Sequence, residues 1–235
     1  MPGDGEQQEK PRILCIGAHP DDVELGMGGL ACSLASSGHE ILILDLTNGE
    51  PTPHGSPEIR AREAALAAEK IGARRITLDM PNRYLQDTIE NRNTIAREIR
   101  AFRPDYMFAP YPEDAHPDHV AAGRLAEAAR FYAKLTRAGI EGEPCFPRRL
   151  LYYFPVHIRL RMEPSFTADI SDHFERKREA VLSYRSQFDV PGKEGVVDRF
   201  LSENRYWGYQ SGCEAAEPFF QRELPVYKNW PEGYA

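Results

Sequence analysis

The chain has no apolar run near the ~18 residues that a membrane-crossing helix needs, so an integral membrane role by helices is excluded. It also lacks an excess of positive charge. Lys and Arg number 29 against 36 Asp and Glu, a formal net charge of −7. A nucleic-acid partner calls for a basic footprint, so none is expected. Cysteine is sparse: Cys15, Cys32, Cys145 and Cys213 are scattered, with no C-x-x-C pair. That spacing offers neither a disulfide framework nor a closed, thiolate-rich structural zinc site, and it suits a reduced cytoplasm. The dinucleotide fingerprint G-x-G-x-x-G is missing as well. Asp45 could serve as a ribose-binding acid, but without the fingerprint a nucleotide-binding module is disfavoured. The opening MPGDGEQQEKPR has no apolar segment of the kind a secretory signal needs, and residues 1–11 read as a disordered leader.

What is present is ordinary for a globular protein: 235 residues, 41% hydrophobic and 28% charged. Short apolar runs at 12–18 (RILCIGA), 40–47 (EILILDLT), 74–79 and 106–111 (YMFAPY) have the composition of strands buried on both faces. Between them lie helical patterns at 25–36, from Pro57 to about Lys70, at 88–102 and from Pro117 to about Leu135. LLYYFPV and SFTADI add two strands, helices follow near 172–187 and 196–210, and the rest reads as a proline-rich tail. Alternating strands and helices predict right-handed βαβ units. The expected fold is one α/β, Rossmann-like domain over 12–235: a mainly parallel sheet flanked by helices, with additional C-terminal strands and helices.

Two polar clusters stand directly after apolar strands, His19-Pro20-Asp21-Asp22 and His116-Pro117-Asp118-His119. In an open α/β sheet both then sit at the carboxyl rim, where ligands bind. A single His-Pro-Asp at a helix start is commonly only a capping device. Two of them, one with a histidine and paired acids and the other with an acid between two histidines, instead offer the His and Asp ligands of an open catalytic metal site. Adjacent residues at a strand-to-helix turn point in different directions. Of Asp21 and Asp22, one can therefore ligate while the other faces the attacking water as general base. The glycines of LGMGG (25–29) are better explained by close helix–strand packing than by phosphate binding. His39, His54, His157 and His173 stand apart from the acidic clusters, although His54 lies in a loop that could cover the site.

AHPDDVELGMGG (18–29) together with PEDAHPDH (112–119) resembles the PIG-L/LmbE-like family of zinc-dependent N-acetylglucosaminyl deacetylases. LTNGE, GSPEIRAREA, DISDHFERK and YRSQF extend the resemblance over nearly the whole chain. It implies zinc held by His19, Asp22 and His119, with Asp21 as the general base. His116, supported by Asp118, would be an imidazolium that stabilises the oxyanion. Arg60 and Arg149 match arginines near the substrate, while Tyr184 and Gln187, on a helix near the end of the resemblance, read equally as packing or functional residues. The resemblance is greatest to the bacillithiol-pathway enzymes, which implies N-acetylglucosaminyl-malate as substrate; a chitin-derived disaccharide is the alternative. It further implies a homo-oligomer, with a hexamer among its forms.

Overall fold

The structure is a computed structural model that describes residues 10–155 and 163–226. His157, most of the expected leader and the last nine residues lie outside the described residues. Among the described residues, seven strands form one sheet in the order β3-β2-β1-β4-β5-β7-β6. β1 (Ile13–Gly17), β2 (Ile41–Asp45), β3 (Arg74–Thr77), β4 (Tyr106–Pro110) and β5 (Arg149–Tyr153) are parallel, as the βαβ alternation predicts. β6 (Phe166–Asp169) and β7 (Ala216–Gln221) extend the sheet in the antiparallel sense.

The strand β7 corrects the sequence reading, which placed a tail there. AEPFFQ contains Pro218, and a proline in a run argues against an inner strand. Here β7 is nevertheless inserted between β5 and β6. Pro218 faces β6 across from Thr167, beyond the stretch of β7 that pairs with β5. Its missing N–H therefore costs the β5 ladder nothing. The expected helix near 172–187 is also broken in two, α5 (Phe174–Val181) and α6 (Arg185–Phe188).

Alternate residues of the inner strands face opposite layers. Leu14, Ile16, Leu42 and Leu44 pack with Ile95, Ile99 and Leu125 from α3 (Ile89–Phe102) and α4 (Pro117–Ala133). Ile13, Cys15, Ile41 and Ile43 pack on the other face with Val23, Met27 and Ala31 of α1 (Asp22–Ser36). Every residue of β1 and β2 is buried, and each such aliphatic side chain contributes about 1.5–3 kcal/mol relative to exposure. α2 (Pro57–Ile71) starts where the sequence signals it. The Ser56 side chain accepts from the Ile59 N–H, Pro57 opens the first turn, and left-handed Gly72 ends the helix.

α1 changes direction at Met27, whose φ of −147° is not helical. The break exposes new amide donors, and the buried Glu217 carboxylate accepts from the N–H groups of Gly29 (2.9 Å) and Leu30 (2.8 Å). Lys177 neutralises Glu217 at 2.6 Å and donates to the Leu25 carbonyl. The glycines serve packing. A Cβ on Gly26 would stand 2.2 Å from the Tyr153 ring, and one on Gly29 2.7 Å from Ile170.

Candidate active site

β1 and β4 are neighbours in the centre of the sheet, so the turns that follow them share one rim. The segment after β1 carries His19, Pro20 and Asp21 into α1, and the segment after β4 runs to His116 at the start of α4. The ring centroids of His19 and His116 lie 4.8 Å apart, those of His116 and His119 4.7 Å, and those of His19 and His119 5.4 Å. The two sequence clusters therefore form one site. It lines a cavity of about 400 Å³ with Arg60, Gln187, Phe188 and Lys193 on its walls.

Asp22 lies between the two buried histidines. Its Oδ1 is 3.1 Å from His119 Nε2 and its Oδ2 is 3.5 Å from His19 Nδ1. Each ring is oriented from behind by another carboxylate. His19 Nε2 donates to Asp118 Oδ2 (3.1 Å), and His119 Nδ1 donates to Asp114 Oδ2 (2.7 Å). Asp118 also accepts from the backbone N–H groups of Arg83 and Leu85. Ligand atoms of His19, Asp22 and His119 all lie within 4.8 Å of one another. Two imidazoles and one carboxylate, with carboxylates behind both rings, fit the open coordination of a catalytic divalent metal.

Electrostatics agree with this arrangement. Burial disfavours the charged form of both histidines, but Asp22 and the carboxylates behind them outweigh it, raising His19 to about 9 and His119 to about 10. The same contacts overcome burial at Asp22 and hold its carboxyl well below the usual range. Where two imidazoliums flank a carboxylate, a cation of higher charge can take their protons' place.

Asp21 is separated from its neighbour by the backbone. Its φ of 117° is in the left-handed region, which a non-glycine residue enters at a cost of about 1–3 kcal/mol. The turn sends Asp22 toward the histidines and Asp21 toward Arg60, whose Nη2 donates to Asp21 Oδ2 (2.8 Å) and to the Pro20 carbonyl. Burial raises the Asp21 pKa to about 6, against the lowering effect of Arg60. Arg60 is itself buried, and its Nε and Nη1 have no hydrogen-bond partner among the described residues.

A family model described as PIG-L, GlcNAc-PI de-N-acetylase, matches residues 14–130. The diacetylchitobiose deacetylase of Thermococcus kodakarensis is 32% identical over 221 residues, covering 88% of this chain and 81% of that protein. The chain belongs to the PIG-L family. It is a deacetylase, an enzyme that hydrolyses amides. Among solved structures, the conserved protein TT1542 from Thermus thermophilus superposes with a TM-score of 0.86 at 40% identity, covering 94% of this chain and 99% of that one. The N,N'-diacetylchitobiose deacetylase of Pyrococcus horikoshii gives 0.77 at 26% identity, with 89% and 82% covered.

Within this PIG-L site, the geometry bears on three sequence expectations. The Asp118 carboxylate holds His19, and the Asp118 backbone N–H donates to His116 Nδ1 at 3.2 Å. Burial and the neighbouring His119 and His19 lower the His116 pKa to about 4, against the raising effect of Asp118 and Asp22. Arg149 is not at the cavity. It opens β5 beside Tyr106, the first residue of β4, at the amino end of the sheet, and pairs with Glu223. Four residues of strand, roughly 13 Å, separate that end from the carboxyl rim. The sequence reading missed Asp114, although it lies within the quoted PEDAHPDH. Asp45 is no ribose ligand: it is buried and grips Arg75 with both oxygens, at 2.6 and 2.7 Å. Of the remaining histidines, His39 bonds the Pro11 carbonyl and His54 is exposed.

Proposed function

We propose that this enzyme removes the acetyl group from an N-acetylglucosamine-containing saccharide, with a disaccharide of the diacetylchitobiose type favoured over the malate conjugate. The observation that carries this reading is the buried His19–Asp22–His119 donor set, oriented by Asp118 and Asp114, with Asp21 beside it in one cavity. Similarity to two diacetylchitobiose deacetylases supports the choice of sugar. Zinc is the metal that best fits two imidazoles and one carboxylate in a hydrolase. When bound, it supplies Lewis acidity and makes water more acidic.

The remaining work falls to side chains. Asp21, with a pKa raised to about 6, is ionised near neutrality and basic enough to take a proton from the attacking water. Arg60 occupies Asp21 Oδ2, so Oδ1 is the oxygen that receives it. Because His116 Nδ1 accepts from the Asp118 N–H, the neutral ring carries its proton on Nε2. From there it donates a hydrogen bond to the oxyanion of the tetrahedral intermediate. Arg60 stands at the wall of the cavity and holds Asp21 there through Nη2. Gln187, whose Nε2 donates to Thr52 Oγ1, lines the same wall.

Acetate release decides the matter. Zinc-loaded protein should liberate acetate from N,N'-diacetylchitobiose faster than from N-acetylglucosamine or N-acetylglucosaminyl-malate. Fastest release from the malate conjugate would reverse the substrate order, and no release from any of the three would sink the reading. We also propose a cytoplasmic homo-oligomer, with a hexamer as the form to test. Sedimentation of the protein as a monomer at micromolar concentration would count against it. Among the described residues, no helix is long and apolar enough to cross a membrane.

A further inference from the structure

Behind the wall of the cavity lies a buried chain of polar groups that the reaction does not use directly. Tyr184 is completely buried, and its ring faces the Arg60 guanidinium, with Cζ 5.4 Å from the ring centroid. The Tyr184 hydroxyl donates to Glu24 Oε1 at 2.9 Å. Glu24, also fully buried, pairs with Arg75 at 2.5 Å, and Arg75 is anchored in turn on Asp45. The hydroxyl stays protonated because burial pushes its pKa up. It is therefore a permanent donor to that carboxylate. This chain leads from the middle of the sheet, through the aromatic face, to the arginine that holds Asp21.

The chain answers a mechanical problem. A long, flexible arginine fixed only through Nη2 keeps much of its rotamer freedom, and ordering it costs entropy. Among the described residues Arg60 has no partner at Nε or Nη1, so hydrogen bonds there do not fix its plane. An aromatic face does so, because cation–π attraction requires no hydrogen bond. The ring must itself be immobile, and the Glu24–Arg75–Asp45 network immobilises it through the hydroxyl. We propose that Tyr184 and Glu24 are positioning residues of the deacetylase. On this account they lock the plane of the Arg60 guanidinium and thereby the carboxylate of the base Asp21. The inference rests on the role given to Asp21 above.

Two measurements test it. In zinc-loaded protein, Tyr184→Leu should lower kcat about tenfold and leave KM within about twofold, with unchanged zinc stoichiometry. Tyr184→Phe, which keeps the ring but not its anchor, should fall only about threefold and so rescue part of the loss. In an Arg60→Ala background, Tyr184→Leu should cost nothing more in kcat, as expected for residues acting as a unit. A purely structural role predicts instead that the melting temperature falls while kcat holds, or that the two losses add. The second measurement needs no turnover. Nitrogen-15 NMR should show separate, slowly exchanging Nη1 and Nη2 signals for Arg60 in the native protein and averaged signals in Tyr184→Leu. Unchanged kcat in a folded, zinc-loaded Tyr184→Leu protein, additive losses, or unchanged guanidinium exchange would each overturn the proposal. Should the native enzyme release no acetate, the functional reading fails, and the guanidinium signals still decide this one.

Discussion

Metal affinity should depend on pH far more steeply than two ordinary histidines allow. In the metal-free protein His19 is raised to about 9 and His119 to about 10, while Asp22 is held ionised. Both histidines are therefore protonated at pH 7, and both must lose that proton to ligate. Below pH ~9 each bound zinc releases about two protons, so affinity rises about two decades per pH unit. From pH 7 to 8 that is about 100-fold. Two histidines at the ordinary ~6.5 are already mostly neutral there and would give roughly a twofold change. The sign follows from the direction of the shift: groups with raised pKa values hold their protons and resist metal until the pH climbs toward those values. The numbers belong to the coupled cluster, so the total proton count is the quantity to measure. Competition against a chromophoric chelator of known proton affinity between pH 6.5 and 8 gives the slope. Calorimetry in buffers of different ionisation enthalpy gives the protons released. A change below about fivefold between pH 7 and 8, with fewer than one proton released, would refute the argument and mean that the histidines wait for the metal as neutral rings.

Other outcomes follow from the same geometry. Asp114→Asn and Asp118→Asn should each weaken zinc binding about 10- to 100-fold, because each removes the carboxylate behind a ligating ring; the chelator competition reads this directly. Asp21→Asn should retain zinc and lose roughly 10²–10⁴ in kcat, since asparagine tolerates the left-handed backbone but takes no proton; zinc content and acetate release check both halves. Arg149→Ala should leave kcat and KM unchanged in the same assay, because that arginine lies at the opposite end of the sheet. Gly26→Ala should lower the melting temperature by roughly 3–10 °C through overpacking against Tyr153, measured by calorimetry.

Much of this molecule was legible in the sequence because its inner strands are buried on both faces. ILCIG and ILILD leave no polar alternative to a central parallel sheet, and the apolar runs are separated by periodic helices. The meeting of the two His-Pro-Asp clusters followed from topology, since both end strands of one sheet at its carboxyl rim. What escaped was decided by contacts between distant parts of the chain. Residue order alone does not say that Asp118 reaches across to His19, or that the Asp114 carboxylate turns to His119. The β7 strand escaped because Pro218 is tolerated only through the particular register of its neighbours. Arg149 was misplaced because a match to a motif does not distinguish the first residue of a strand from its last, and only the last faces the site.

The two clusters, nearly identical as tetrapeptides, do different work because their helices begin at different points. In the second, His116 caps α4 and Pro117 takes the first helical position, so Asp118 and His119 already lie within the first turn. In the first, Pro20 stays outside the helix, left-handed Asp21 takes the capping position, and Asp22 opens α1. The third residue of the pattern thus diverges. Asp118, locked in a helical turn, reaches His19 from behind, whereas Asp21, held in a strained turn, faces Arg60. The fourth residue converges, since Asp22 and His119 meet at 3.1 Å. A two-residue difference in helix phase converts one repeated pattern into a ligand set, its supporting carboxylate and a separate base. The backbone strain at Asp21 is what keeps that base apart from the ligand beside it in sequence.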